Sequence, residues 1–157
     1  MIPNHAADIP DLISEINGQS LDVRGIFAAE LPDGLLWRPS PQKWSVMAHM
    51  EHLCILNEPY ITTMQACLMK ARTQGWRSNG PYKHPWFGRW FTGQMAPPPE
   101  KRWTTAKNMV PDPGLHGADV LKRFLSAQGD LAQLADDCTG IDLGKARFSS
   151  PFAKVIR

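Results

Sequence analysis

The chain has few cysteines and no CxxC pair. Its three, Cys54, Cys67 and Cys138, are odd in number and lie among apolar neighbours, which points to buried thiols in a reducing compartment rather than a disulfide framework. No stretch approaches the roughly 18 consecutive apolar residues that a bilayer span requires, so no membrane partner is expected. Residues Met1 to Asp8 have neither a basic start nor an apolar run and do not read as a signal peptide. Together these absences make the cytoplasm the expected location. There is no excess of charge either: the formal net charge is +2, too close to neutral to suggest nucleic acid or an anionic membrane. No repeat occurs, and the only low-complexity tract is Pro97-Pro98-Pro99.

What is present is an ordinary globular composition, 43% hydrophobic and 20% charged over 157 residues, enough for one domain with its own core. Three segments carry helical periodicity. From about Asp8 to Leu31, Ile9, Leu12, Ile13, Ile16, Val23, Phe27 and Leu31 recur at three- and four-residue steps. Asp8 and Pro10 are start signals and Pro32-Asp33-Gly34 a stop. Gly18 and Gly25 weaken this helix by roughly 1 kcal/mol each relative to alanine, so it needs packing partners. A second helix is predicted from Val46 to about Arg72, capped by Ser45, with an inward stripe of Val46, His49, Leu53, Leu56, Tyr60, Met64 and Cys67 and a kink at Pro59. A third runs from about His116 to Cys138, with Leu121, Phe124, Leu125, Leu131, Leu134 and Cys138 on its apolar face. Between the second and third lies a long connection rich in Gly, Pro and Trp, Thr73 to Gly114. The pattern is that of an all-α bundle.

Two groups of residues could carry chemistry. The first is Trp44-Ser45-Val46-Met47-Ala48-His49-Met50-Glu51-His52-Leu53. Histidines three apart share one helical face, and neutral imidazoles suit divalent Zn, Ni or Fe, yet a catalytic zinc site takes about three protein ligands. Spacing alone therefore leaves open packed histidines and metal ligands. The second group is the connection, where Arg72, Arg77, Lys83, Arg89, Lys101, Arg102 and Lys107 alternate with Trp76, Tyr82, Trp86, Phe87, Trp90, Phe91 and Trp103. Such a mixture can stack bases and hold phosphates. The near-neutral charge favours the other reading, in which Trp86 and Trp90 pack against the bundle and the basic heads stay in water. The same aromatics, with Tyr60, could wall a small-molecule pocket.

The Trp44-Ser45 helix start, with His52-Leu53 eight residues after the tryptophan, resembles the second-helix signature of the DinB-like superfamily. So do Arg38-Pro39-Ser40-Pro41 ahead of it, Lys107-Asn108-Met109-Val110-Pro111 ahead of the third helix, and Ser149-Ser150-Pro151-Phe152, which resembles the lead into the family's last helix. The order is kept across nearly the whole chain. The resemblance implies an up-down four-helix bundle with a divalent metal, Zn or Ni, in its interior. It also implies a small-molecule substrate, metal-dependent hydrolysis or transfer using a low-molecular-weight thiol, and His52 as the second-helix ligand, with His49 a second candidate. The family's remaining ligands are a His-x-x-x-His pair on the last helix. This sequence has no such pair, and His5, His84 and His116 have no spacing that would replace it. The expectation is therefore a C-terminally truncated DinB-like domain over residues 1–157, with three main helices and an incomplete metal site. The rival expectation is a non-catalytic helical module or an inactive truncated product. With one helix missing, Leu53, Leu56, Phe124, Leu125 and Leu131 should not all be covered within one chain, and self-association, as a homodimer or larger, would be one way to cover them.

Overall fold

The computed structural model describes residues 9–29, 32–78, 86, 89–90, 93, 105–112 and 117–152. Three long helices make up the architecture, α1 (Ile9–Ala29), α3 (Val46–Thr73) and α4 (Gly117–Asp137), with a short α2 (Pro32–Leu36) and one 3-10 turn (Lys107–Met109) between them. Among the described residues there is no strand, and the only β-type pairing is an isolated bridge between Arg77 and Ile141. The fold is all-α.

Local chemistry explains the helix ends. The Ser45 side chain, itself buried, accepts from the Ala48 N–H at 3.2 Å, as an N-cap should. α3 then continues without interruption through Pro59, which cannot donate to the carbonyl four residues before it. It closes in a Schellman motif. The Trp76 N–H donates to Ala71 O at 3.0 Å and the Gly75 N–H to Arg72 O at 3.2 Å, with Gly75 at φ +65°, a conformation that glycine adopts without a Cβ penalty. Gly140, at φ +73°, reverses the chain after α4. The two turns are then tied together, Ser78 N–H to Gly140 O at 3.1 Å and Asp142 N–H to Trp76 O at 3.2 Å.

Contacts between α3 and α4 advance together along both helices. Cys54 Sγ faces Val120 O, Arg123 pairs with Glu58, and Arg72 pairs with Asp137. The helices are therefore parallel, and the chain runs up, down, down. This corrects the expectation of strict up-down alternation: a short loop can join only antiparallel neighbours, and the long connection after α3 carries the chain back to its starting end. α1 lies antiparallel on α4. Gln128 donates to Gln19 near the middle, while Val23 and Phe27 pack where Val120 and Phe124 lie.

The core has two clusters. One joins Leu35 of α2, Met47, Met50 and Cys54 of α3, and Val120 and Phe124 of α4. The other joins Ile61, Leu68 and Ala71 with Ala127, Leu134 and Ile141. The inner face of α3 thus runs Met47, Met50, Glu51, Cys54, Ile61, Leu68, Ala71, one residue out of step with the predicted stripe, and Val46 and Leu53 are exposed. The reason is that α3 has two apolar faces, and α4 packs on the other one. α1 buries no residue fully; Ile9, Ile13, Ile16, Val23 and Phe27 are half-buried and Leu12, Leu21 and Ile26 exposed. Its outer end, Leu31, lies outside the described residues.

α1 and α3 each pack extensively on α4. A groove of about 610 Å³ runs between them over α4. The segment after α4 lies along its rim. Tyr60 of α3 shares a hydrogen bond with Ser150 at 2.6 Å and meets the rings of Phe148 and Phe152 edge-on at 6.5 and 5.7 Å. This segment, with α1, also covers more than expected. Of the five side chains predicted to lack cover, Phe124 is buried, Leu56, Leu125 and Leu131 are half-buried, and Leu53 alone is exposed.

Candidate functional site

The Trp-Ser helix start has a double role. Ser45 caps α3, and the indole of Trp44 lies against both histidines, its centroid 5.3 Å from that of His49 and 5.0 Å from that of His52. His49 is exposed and His52 half-buried. The difference between them is a hydrogen bond: His52 Nδ1 lies 2.8 Å from the carbonyl oxygen of Met109, in the 3-10 turn that precedes α4. A carbonyl can only accept, so Nδ1 carries the proton. In the neutral ring Nε2 is then left as the lone-pair nitrogen, and both tautomer and ring orientation are fixed from outside. The Lys107–Pro111 segment, singled out in the sequence, proves to be the support of His52. That the support is a backbone carbonyl had no signal in the side-chain pattern.

Glu51, one residue earlier, faces elsewhere. It is 4% exposed, and its carboxylate accepts from the Asp112 backbone N–H; burial raises its pKa above the ordinary glutamate value, against the opposing pull of that bond and of Arg123. Adjacent residues thus hold the 105–112 segment at two points, His52 at Met109 and Glu51 at Asp112. Glu51 is an anchor rather than a base beside His52, as the 100° step between neighbours on a helix requires.

Among the described residues no group of three or more His, Cys, Asp or Glu side chains is placed to hold a metal ion. His5, His84 and His116 lie outside the described residues. The described residues therefore fit a metal only as one oriented imidazole, with His49 sharing the Trp44 ring.

The predicted pocket residues separate. Tyr60 anchors the rim segment. Trp86 and Trp90 are 79% and 52% exposed, and neither lines the groove. Trp76 is turned back onto the end of α3 by the Schellman motif and joins the second core cluster, with Lys70 Nζ 5.8 Å from its ring centre. Tyr82, Phe87, Phe91 and Trp103 lie outside the described residues. The thiols differ too. Cys54 is fully buried, and burial pushes its pKa up to about 11; Cys67 and Cys138, half-buried, border the groove.

No described helix is long and apolar enough to cross a membrane. Comparison with models of known protein families, with curated proteins and with solved structures gave no significant match.

Proposed function

We propose that this chain is a DinB-like helical domain whose chemistry is that of a small-molecule hydrolase or thiol-dependent transferase, with His52 as its one oriented metal ligand. The observation that supports this reading is the 2.8 Å bond from His52 Nδ1 to Met109 O. Metal-binding histidines commonly donate their second nitrogen to such an acceptor, which leaves the other free to coordinate. A divalent Zn or Ni ion would supply Lewis acidity and a nucleophile at neutral pH. The described residues do not complete such a site, so no reaction step is assigned through it. What this chain does by itself is hold the imidazole: Trp44 covers one side, Met109 fixes the proton on Nδ1, and α3 fixes the backbone. A small molecule rather than nucleic acid is the partner in this reading, and the cytoplasm its location.

A second reading, a non-catalytic helical module, is favoured by the lack of a three-ligand cluster among the described residues. Two measurements separate them. Nitrogen-15 imidazole spectra of the purified chain should show His52 as the Nδ1–H tautomer. Calorimetric titration with Zn and Ni should show weak binding that His52→Ala removes and His49→Ala lessens at most. A protonated Nε2 in the neutral ring, or metal uptake indifferent to His52, would refute the first reading and leave the second.

A further inference from the structure

The groove between α1 and α3 takes no part in the arrangement around His52, and its volume of about 610 Å³ lies within the roughly 300–1,000 Å³ typical of drug-sized ligand sites. We infer that it binds an uncharged, predominantly apolar small molecule. Its wall and its charge fit that class of ligand.

The wall is aliphatic and aromatic on every side: Ile16 from α1, Leu53 and Met64 from α3, Leu131 from α4, and Leu143 and Phe148 from the rim segment. Polar groups are few. Gln128, 5% exposed, is the buried polar side chain of α4, and its Nε2 donates to Gln19 Oε1 at 3.3 Å. This amide pair gives a ligand a place for one hydrogen-bonding group in an apolar wall.

Among the described residues no Lys, Arg or His lines the groove, and the one charged side chain that does is Glu15. An anion entering would lose its hydration, gain no cationic partner from this lining and meet a carboxylate. Fatty anions, sulfonates and phosphates are thereby disfavoured, and neutral molecules are the class the lining accepts.

From Leu53 to Leu68 the groove follows α3 for roughly 22 Å, about four helical turns, and Leu143, Ala146 and Phe148 take part of its width.

A matched pair of fluorescent probes tests the inference on the full chain. N-phenyl-1-naphthylamine is neutral, and 1-anilinonaphthalene-8-sulfonate is the same skeleton with one anionic group. The neutral probe should bind at one saturable site on the monomer, with the sulfonate weaker on the order of tenfold or more. Leu53→Trp and Leu131→Trp, which fill the groove from α3 and α4, should each remove the neutral probe's signal. Leu53 is 41% exposed, so its variant should keep the wild-type circular dichroism even if Leu131→Trp does not fold. His52→Ala should leave the affinity unchanged, which keeps this inference separable from the metal reading. Equal or tighter binding of the sulfonate, binding indifferent to Leu53→Trp, or a dimer in sedimentation that Leu53→Trp dissociates would each overturn it, the last because a second copy would then occupy the groove.

Discussion

Tyr60 holds the segment after α4 in place, and its removal should release that segment before it unfolds the bundle. The phenol makes three contacts: the 2.6 Å hydrogen bond to Ser150 and the edge-on contacts with Phe148 and Phe152. Tyr60→Phe deletes only the hydrogen bond, worth about 1 kcal/mol net. Tyr60→Ala also deletes two aromatic pairs of about 0.5–1.5 kcal/mol each and the burial of the ring. Because Tyr60 is half-buried and Phe148 is 43% exposed, the total should be about 2–3 kcal/mol, below the roughly 3–5 kcal/mol of a fully buried aromatic. Lys145 and Arg147 are exposed, so trypsin reports the opening of the segment directly. When opening is fast relative to cleavage, the rate follows the open population. Cleavage should then rise about fivefold in Tyr60→Phe and about 30- to 160-fold in Tyr60→Ala. A cycle with Phe152→Ala should show coupling of about 0.5–1.5 kcal/mol. Wild-type cleavage rates in both Tyr60 variants would show that the segment is held by something else, and the account of the groove rim would fail with it.

Two further outcomes follow from the buried ionisable groups. Burial raises the Glu51 pKa in the folded state, so the folded chain binds this proton more tightly than the unfolded one; its contribution to stability is full below the unfolded value and is lost as pH rises through the folded value. Glu51→Gln, which can still accept from Asp112, should therefore gain stability relative to wild type as pH rises from 4 towards neutral in urea melts, whereas a constant difference across that range would refute the burial argument. In native protein an aromatic disulfide reagent should modify Cys67 first and Cys54 only on unfolding, because Cys54 is fully buried with a pKa near 11 and burial also raises that of Cys138; peptide mapping of the first-modified thiol checks the order.

The helices were legible because their ends carry chemistry as well as periodicity. Ser45 and the break at Pro32-Asp33-Gly34 set bounds, and the structure moves the predicted ends by a residue or two: about Asp8–Leu31 became Ile9–Ala29, Val46–Arg72 became Val46–Thr73, and His116–Cys138 became Gly117–Asp137. The direction of α4 was not read, although the length of the connection before it contained the answer. Nor was the support of His52, because a backbone carbonyl far along the chain has no residue type to betray it. Aromatic composition says that rings want cover, and the turn at Gly75 gives it to Trp76.

The misread face of α3 is more instructive. Met47, Met50, Cys54, Ile61 and Leu68 form one apolar face, and Leu53, Met64 and Cys67 lie on another that looks into the groove. Periodicity finds both and cannot rank them, because each obeys the same three- and four-residue spacing. Glu51 interrupts the stripe that is in fact buried, at a cost offset by the Asp112 N–H. A helix with two apolar faces must meet two different surroundings, and here one is α4 and the other the groove. Each step along the helix turns about 100°, so Glu51, His52 and Leu53 divide those surroundings among three neighbours. Glu51 enters the contact with the 105–112 segment, Leu53 enters the groove wall, and His52 stands between them with its Nδ1 proton held by Met109. The position of the imidazole is thus a consequence of the two-faced helix. Any change that rotated α3 by one residue would remove Glu51 from Asp112 and His52 from Met109 together.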